Sequence, residues 1–160
     1  MTILGIETSC DETSAAVIKT DNDNITLISN IISSSLSLHA KTGGIIPEVA
    51  AREQVKYIVP VIEKALEKIK NPKEEVDAIA VTVGPGLIGS LLVGVETART
   101  LSYIWNKPLI PVNHLFGHIY ANWINEGKYK KIEFPTIALV VSGGHTDLVF
   151  IKNHQDIVWL

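Results

Sequence analysis

A single cysteine, Cys10, is all the chain contains, so no disulfide can close within it. A large excess of one charge is missing as well: 14 Lys and Arg stand against 17 Asp and Glu, a formal net charge of -3. That balance leaves no electrostatic footprint for nucleic acid, so an RNA partner needs a local basic patch or a helper subunit. The opening residues Met1 to Glu7 lack the basic start and long apolar run of a signal peptide, and the expected compartment is the cytosol. No unbroken membrane-length run is present either. The uncharged stretch from Ala78 to Val95 is interrupted by Gly84-Pro85-Gly86 and bounded by Asp77 and Glu96, which reads as a buried strand, a tight turn and a buried helix rather than a span. At 160 residues, 46% hydrophobic and 19% charged, the chain suffices for a solid core of ordinary α/β type.

β-Branched and apolar runs over residues 2–8 and 13–19, around the polar tip Ser9-Cys10-Asp11-Glu12, followed by a third within 25–32, predict a β-meander. Residues 33–44 read as a polar loop. Pro47 suits the first turn of a helix expected through residue 70, with Pro60 bending it midway. Beyond it, strands over 76–83 and 108–112 alternate with helices over 87–105 and 114–125, the pattern of a parallel sheet with crossover helices.

Residues 4–27, shifted by 133 positions, fall without a gap on 137–160: Ser9 on Ser142, Thr13 on Thr146, Ile18 on Ile151, Lys19 on Lys152. Both segments read strand-loop-strand-turn-strand with Ser-x-x-x-Thr at the same point. Similarity at a long fixed offset signals duplication. The expectation is a first lobe over residues 1–132 and the opening strands of a second over 133–160, the chain being a fragment of a longer protein, inactive alone.

Chemistry concentrates in Asn113-His114-Leu115-Phe116-Gly117-His118. Two histidines at i and i+4 on a helix aim their rings at one spot, here at the carboxyl end of a strand, where open α/β sheets bind ligands. Neutral imidazole suits zinc and iron(II), but a catalytic metal normally takes three protein ligands, so a third must come from elsewhere. The zinc-peptidase pattern needs a glutamate directly after the first histidine, where this chain has Leu115. Glu7 lies inside an apolar strand, where burial without a partner is expensive. Cys10 has no sequence-local base and reads as a small buried thiol. Ser142-Gly143-Gly144-His145-Thr146 suits close approach of backbone N–H groups to an anion, or simply a hairpin turn. Gly84-Pro85-Gly86 leaves the same choice between an anion site at a helix start and a strand-to-helix turn.

Gly5-Ile6-Glu7-Thr8-Ser9-Cys10-Asp11-Glu12-Thr13, Gly43-Gly44-Ile45-Ile46-Pro47-Glu48, Gly84-Pro85-Gly86-Leu87, Asn113-His114 with His118, and Val141-Ser142-Gly143-Gly144-His145-Thr146 together resemble the universal tRNA threonylcarbamoyltransferase family, once described as an O-sialoglycoprotein endopeptidase. The resemblance runs from residue 3 to about residue 150 in unbroken order. It implies an α/β fold of the actin, sugar-kinase and heat-shock-chaperone superfamily (ribonuclease H-like), built from duplicated lobes. It implies transfer of a threonylcarbamoyl group from threonylcarbamoyl-adenylate to N6 of the adenosine beside the tRNA anticodon, with partner subunits and no membrane. By position, His114 and His118 would be two ligands of one divalent metal, iron(II) or zinc. Val140, Val141, Ser142, Gly143 and Gly144 would contact the adenylate, and Asp11 and Glu12 match acids needed for activity. The family's third ligand, an aspartate of the second lobe, has no counterpart here. The endopeptidase description fails on Leu115.

Two positions depart from the commoner pattern: Phe116 stands where many members have glutamate, and Gln54 where many have histidine. Phe116 alters the surroundings of the ligands rather than a ligand. A small-molecule kinase of the same superfamily would share the phosphate hairpins but has no use for the histidines. A non-catalytic partner subunit of the modification complex would lack them.

Overall fold

The protein is described here from a computed structural model covering residues 1–21, 24–35, 44–125, 128–129, 133–142 and 146–160. Three strands, β1 (Thr2–Glu7), β2 (Glu12–Asp21) and β3 (Asn24–Ser34), form an antiparallel meander. Helix α1 (Pro47–Leu66) follows, then a single helical turn α2 (Pro72–Glu75), β4 (Ala78–Gly84), α3 (Ile88–Trp105), β5 (Leu109–Asn113) and α4 (His114–Ala121). β4 pairs parallel with β1, and β5 parallel with β4, giving one five-stranded mixed sheet in the order β3-β2-β1-β4-β5. Two-residue strands β6 (Ile124–Asn125) and β7 (Lys128–Tyr129) pair with each other. A second antiparallel sheet, β10-β9-β8, closes the chain with β8 (Thr136–Val141), β9 (Thr146–Asn153) and β10 (Asp156–Trp159).

Strand alternation divides the first sheet cleanly. Leu4, Ile6, Ala15 and Val17 face Ile58, Val61, Ile62 and Ala65 of α1 and Ala98 of α3, and this layer is the main core. The opposite face carries Gly5, Glu7, Ala16, Ala80 and Thr82 and looks into a cleft of ≈ 420 Å³, whose far wall includes α4 residues. α4 turns its other side to the second sheet, where Ile119 is buried with Val149 and Ile151, and Phe116 stacks on Trp159 at 6.1 Å between ring centroids. Phe116 therefore ties the helix to β10.

The helices are shorter than their patterns suggest. α1 continues through Pro60 but stops at Leu66, where the Glu67 N–H bonds the Lys64 carbonyl at 3.3 Å in a tighter closing turn. α4 ends at Ala121, not 125: the Asn122 amide donates to the carbonyls of His118 (3.0 Å) and Ile119 (3.1 Å), taking up end groups a further turn would otherwise bond. β3 reaches Ser34, past the expected residue 32, and residues 36–43 of the expected loop lie outside the described residues.

The second meander repeats the first. Leu4 pairs with Val17 and Ile6 with Ala15; 133 positions on, Ile137 pairs with Phe150 and Leu139 with Leu148. The register is the same at every pair shared by the first two strands, but the third strands differ: Ile18 pairs with Leu27, whereas Ile151 pairs with Ile157 rather than Leu160.

Candidate active site

The site begins with the cap of α4. Asn113 Oδ1 accepts from the backbone N–H groups of Leu115 (2.9 Å) and Phe116 (3.3 Å), satisfying donors the first turn leaves free. This fixes where the helix starts, and so directs both His114 and His118 into the cleft. Their Nε2 atoms stand 3.1 Å apart, with ring centroids 4.4 Å apart and the planes nearly perpendicular at 85°. Both nitrogens lie on one side of the helix and close enough to reach a single ion. Imidazole nitrogen also has the right character for zinc or iron(II). Among the described residues no third His, Cys, Asp or Glu completes a cluster.

The first meander supplies the support behind His114. Its Nδ1 lies 3.1 Å from Ser9 Oγ and 3.5 Å from Glu7 Oε2. A neutral ring with its proton on Nδ1 donates to this pair and keeps its Nε2 lone pair directed at His118. Glu7 is itself held, accepting at Oε1 from the Ser9 backbone N–H at 2.6 Å. Burial pushes the Glu7 carboxyl up, but hydrogen bonds involving His114, Ser9 and Thr82 outweigh it and lower the value to about 2. Glu7 is thus an anion at neutral pH, and the costly burial implied by its apolar strand is compensated by a histidine more than a hundred residues away.

Ser9 is also a point where the chain crosses itself closely. Its carbonyl accepts from Leu87 N–H at 2.7 Å, just before α3. A Cβ on Gly86 would fall 2.6 Å from that carbonyl oxygen, so only glycine fits. One N–H at this helix start is therefore given to Ser9, which is the structural use of Gly84-Pro85-Gly86. Cys10 is partly buried and free.

A second cavity of ≈ 550 Å³ opens on the other side of His118, lined also by Ile119, Trp123, the β8 residues Val140 and Val141, and Ser142 just after them. His118 borders both cavities, so the structure brings the histidine pair and the β8 end together. Val140 points toward Ile119 and the small core, whereas Val141 and Ser142 are exposed. Gly143 and Gly144 lie outside the described residues. Asp11 borders a third pocket of ≈ 270 Å³ with Ser35, Gln54 and Tyr57, and Glu12 opens β2 opposite Ser34. Both acids sit on the turn that carries Ser9, but neither touches the histidines.

Sequence reasoning missed Ser9 and Thr82, though a signal for Ser9 existed. In an extended chain residues i and i+2 share a face, which places Ser9 beside Glu7.

Comparison with known proteins completes the description. The tRNA N6-adenosine threonylcarbamoyltransferase family model matches residues 26–160. A protein of that name from Thermomicrobium roseum is 54% identical over 163 residues, covering 100% of this chain and 44% of the relative. Another, from Bacillus subtilis, is 51% identical over 154 residues, covering 96% of this chain and 42% of the relative. The chain thus spans less than half the length of these relatives. Among solved structures, YeaZ from Pseudomonas aeruginosa aligns with a TM-score of 0.56 at 16% identity, over 94% of this chain and 58% of that one. The Aquifex aeolicus PPX-GPPA enzyme aligns with a TM-score of 0.54 at 14% identity, over 100% of this chain and 52% of that one. At such identities these two matches show the fold alone, an α/β arrangement shared with both.

Proposed function

Because the chain belongs to the tRNA N6-adenosine threonylcarbamoyltransferase family, we propose that the protein carrying it transfers a threonylcarbamoyl group from threonylcarbamoyl-adenylate to N6 of the adenosine beside the tRNA anticodon. The observation that carries this reading beyond the family name is the pair of Nε2 atoms 3.1 Å apart, backed by Glu7 and Ser9, on the wall shared with Val140 to Ser142.

His114 and His118 would hold one divalent metal, iron(II) by preference and zinc as the alternative. Such an ion supplies Lewis-acid chemistry, orienting the threonyl carboxylate and polarising the carbamoyl carbonyl. The remaining work belongs to the chain. Glu7 and Ser9 fix the rotation and tautomer of His114. The β8 end, with the Ser142 hydroxyl, borders the space assigned to the adenylate. In the transfer itself the N6 nitrogen bonds to the carbamoyl carbon, the bond from that carbon to the phosphate oxygen breaks, and AMP leaves with the electron pair. The proton lost by N6 passes to a carboxylate, for which Asp11 and Glu12 at the hairpin tip are the assigned groups. No covalent enzyme intermediate is required.

Among the described residues no helix is long and apolar enough to cross a membrane. We assign the protein to the cytoplasm on the basis of its tRNA substrate. A net charge of -3 gives this segment little hold on tRNA, so affinity is assigned to the rest of the protein and to partner subunits. The test is single-turnover transfer to unmodified tRNA by the full-length protein, with and without iron(II). Transfer that survives His114→Ala and His118→Ala together at the parent rate would overturn the reading.

A further inference from the structure

Gln54 has no place in the site so far, yet it is among the most thoroughly buried polar side chains, 1% exposed on the inner face of α1. Its Nε2 lies 3.2 Å from the Thr8 carbonyl oxygen, 3.1 Å from that of Cys10 and 3.0 Å from that of Glu12. An amide nitrogen carries two hydrogens, so three acceptors share two donors. Its Oε1 is buried with no hydrogen-bond partner among the described residues. The orphaned oxygen is a cost that the amide's donation to the three carbonyls has to offset.

What the arrangement accomplishes is local. Thr8, Cys10 and Glu12 turn their carbonyls to α1, while Ser9 between them turns its own to Leu87 N–H on the opposite side. The carbonyl of Asp11 accepts from Ser35 Oγ at 2.6 Å. Every backbone carbonyl from Thr8 to Glu12 is therefore engaged, three of the five by one side chain. The side chains of Asp11 and Glu12, by contrast, have no hydrogen bond or ion pair among the described residues. A turn with its backbone locked and its two acids uncommitted is preorganised to present those acids to something else.

We propose that Gln54 is a positioning residue that holds the β1–β2 turn in the form presenting Asp11 and Glu12 to the substrate, through N–H donation that an apolar side chain of equal size cannot replace. This rests on the reading that the two acids take part in transfer.

The test uses the full-length protein and six variants. Gln54→Met, close in shape but without donors, is expected to lower kcat about a hundredfold, the cost of displacing a reacting group by about an ångström, while metal content and KM for the adenylate stay within about twofold. Gln54→His, which restores an N–H donor, is expected to recover most of that loss. In an Asp11→Asn background, Gln54→Met is expected to change kcat little further, because it acts through a group already disabled. If Gln54→Met fails to fold, Gln54→Asn, which keeps the amide but retracts it by one methylene, carries the same comparison. Parent-like kcat in the folded donorless or retracted variant, or a full multiplicative loss in the Asp11→Asn background, overturns the proposal. Parent-like kcat in Asp11→Asn and Glu12→Gln instead overturns the reading of the acids.

Discussion

The first hairpins of the two meanders share one register and occupy two environments. Leu4 and Ile6 of β1 are 0% and 3% exposed, whereas their counterparts 133 positions on, Ile137 and Leu139 of β8, are 62% and 64% exposed. Pairing partners correspond at every shared position, so hairpin geometry is not the difference. The difference is that α1 and α3 cover the first sheet, while in the second only the face bearing Ala138 and Val140 is covered, by α4. Register follows from strand alternation and turn length, which are local; burial follows from what packs on top, which is not.

α4 joins the two, and the largest expected effect comes from its histidines. His114→Ala with His118→Ala should abolish metal binding by the full-length protein, since one remaining ligand cannot hold an ion tightly. Elemental analysis after desalting measures it, and undiminished metal would dissolve the site. Next comes the core. Leu4→Ala should destabilise by about 2–5 kcal/mol in urea denaturation, whereas Leu139→Ala in the 160-residue chain should fall within about 0.5 kcal/mol of the parent. Equal losses would mean that the outer face of β8 is covered in solution. Glu7→Gln should weaken zinc or cobalt(II) binding by about 10–100-fold, because the amide no longer fixes the His114 tautomer as an anion does. An unchanged dissociation constant in chelator competition would leave Ser9 as the sole support. The smallest effect is on the second meander: Ser142→Ala should cost about 1 kcal/mol of adenylate binding, read by calorimetry, with metal content intact.

Much of this was legible in the order of residues. The i,i+4 spacing of His114 and His118, with Asn113 before them, is enough to place two rings on one face of a capped helix, and the structure keeps both. The repeat was visible as a pattern match at offset 133 although few residues are identical, because strand alternation survives sequence change better than identity does. Helix ends were less legible. α4 ends four residues early through a side-chain bond from Asn122 to its own last turn, an option that competes with helix continuation and leaves no trace in hydrophobic periodicity. The partner of Glu7 was not legible at all, since nothing in residues near 7 points to residue 114.

The sequence alone thus determined the elements, the strand register, the histidine pair and the family to which the chain belongs, all of which rest on spacing within a helix, a strand or a hairpin. Tertiary structure decided which groups serve that pair and that turn: Glu7 and Ser9 behind His114, Gln54 behind Asp11 and Glu12, Phe116 on Trp159. These contacts join residues 42 to 107 positions apart. A one-dimensional pattern encodes which faces of an element are apolar; it does not encode which polar group each face meets when sheets and helices close on one another.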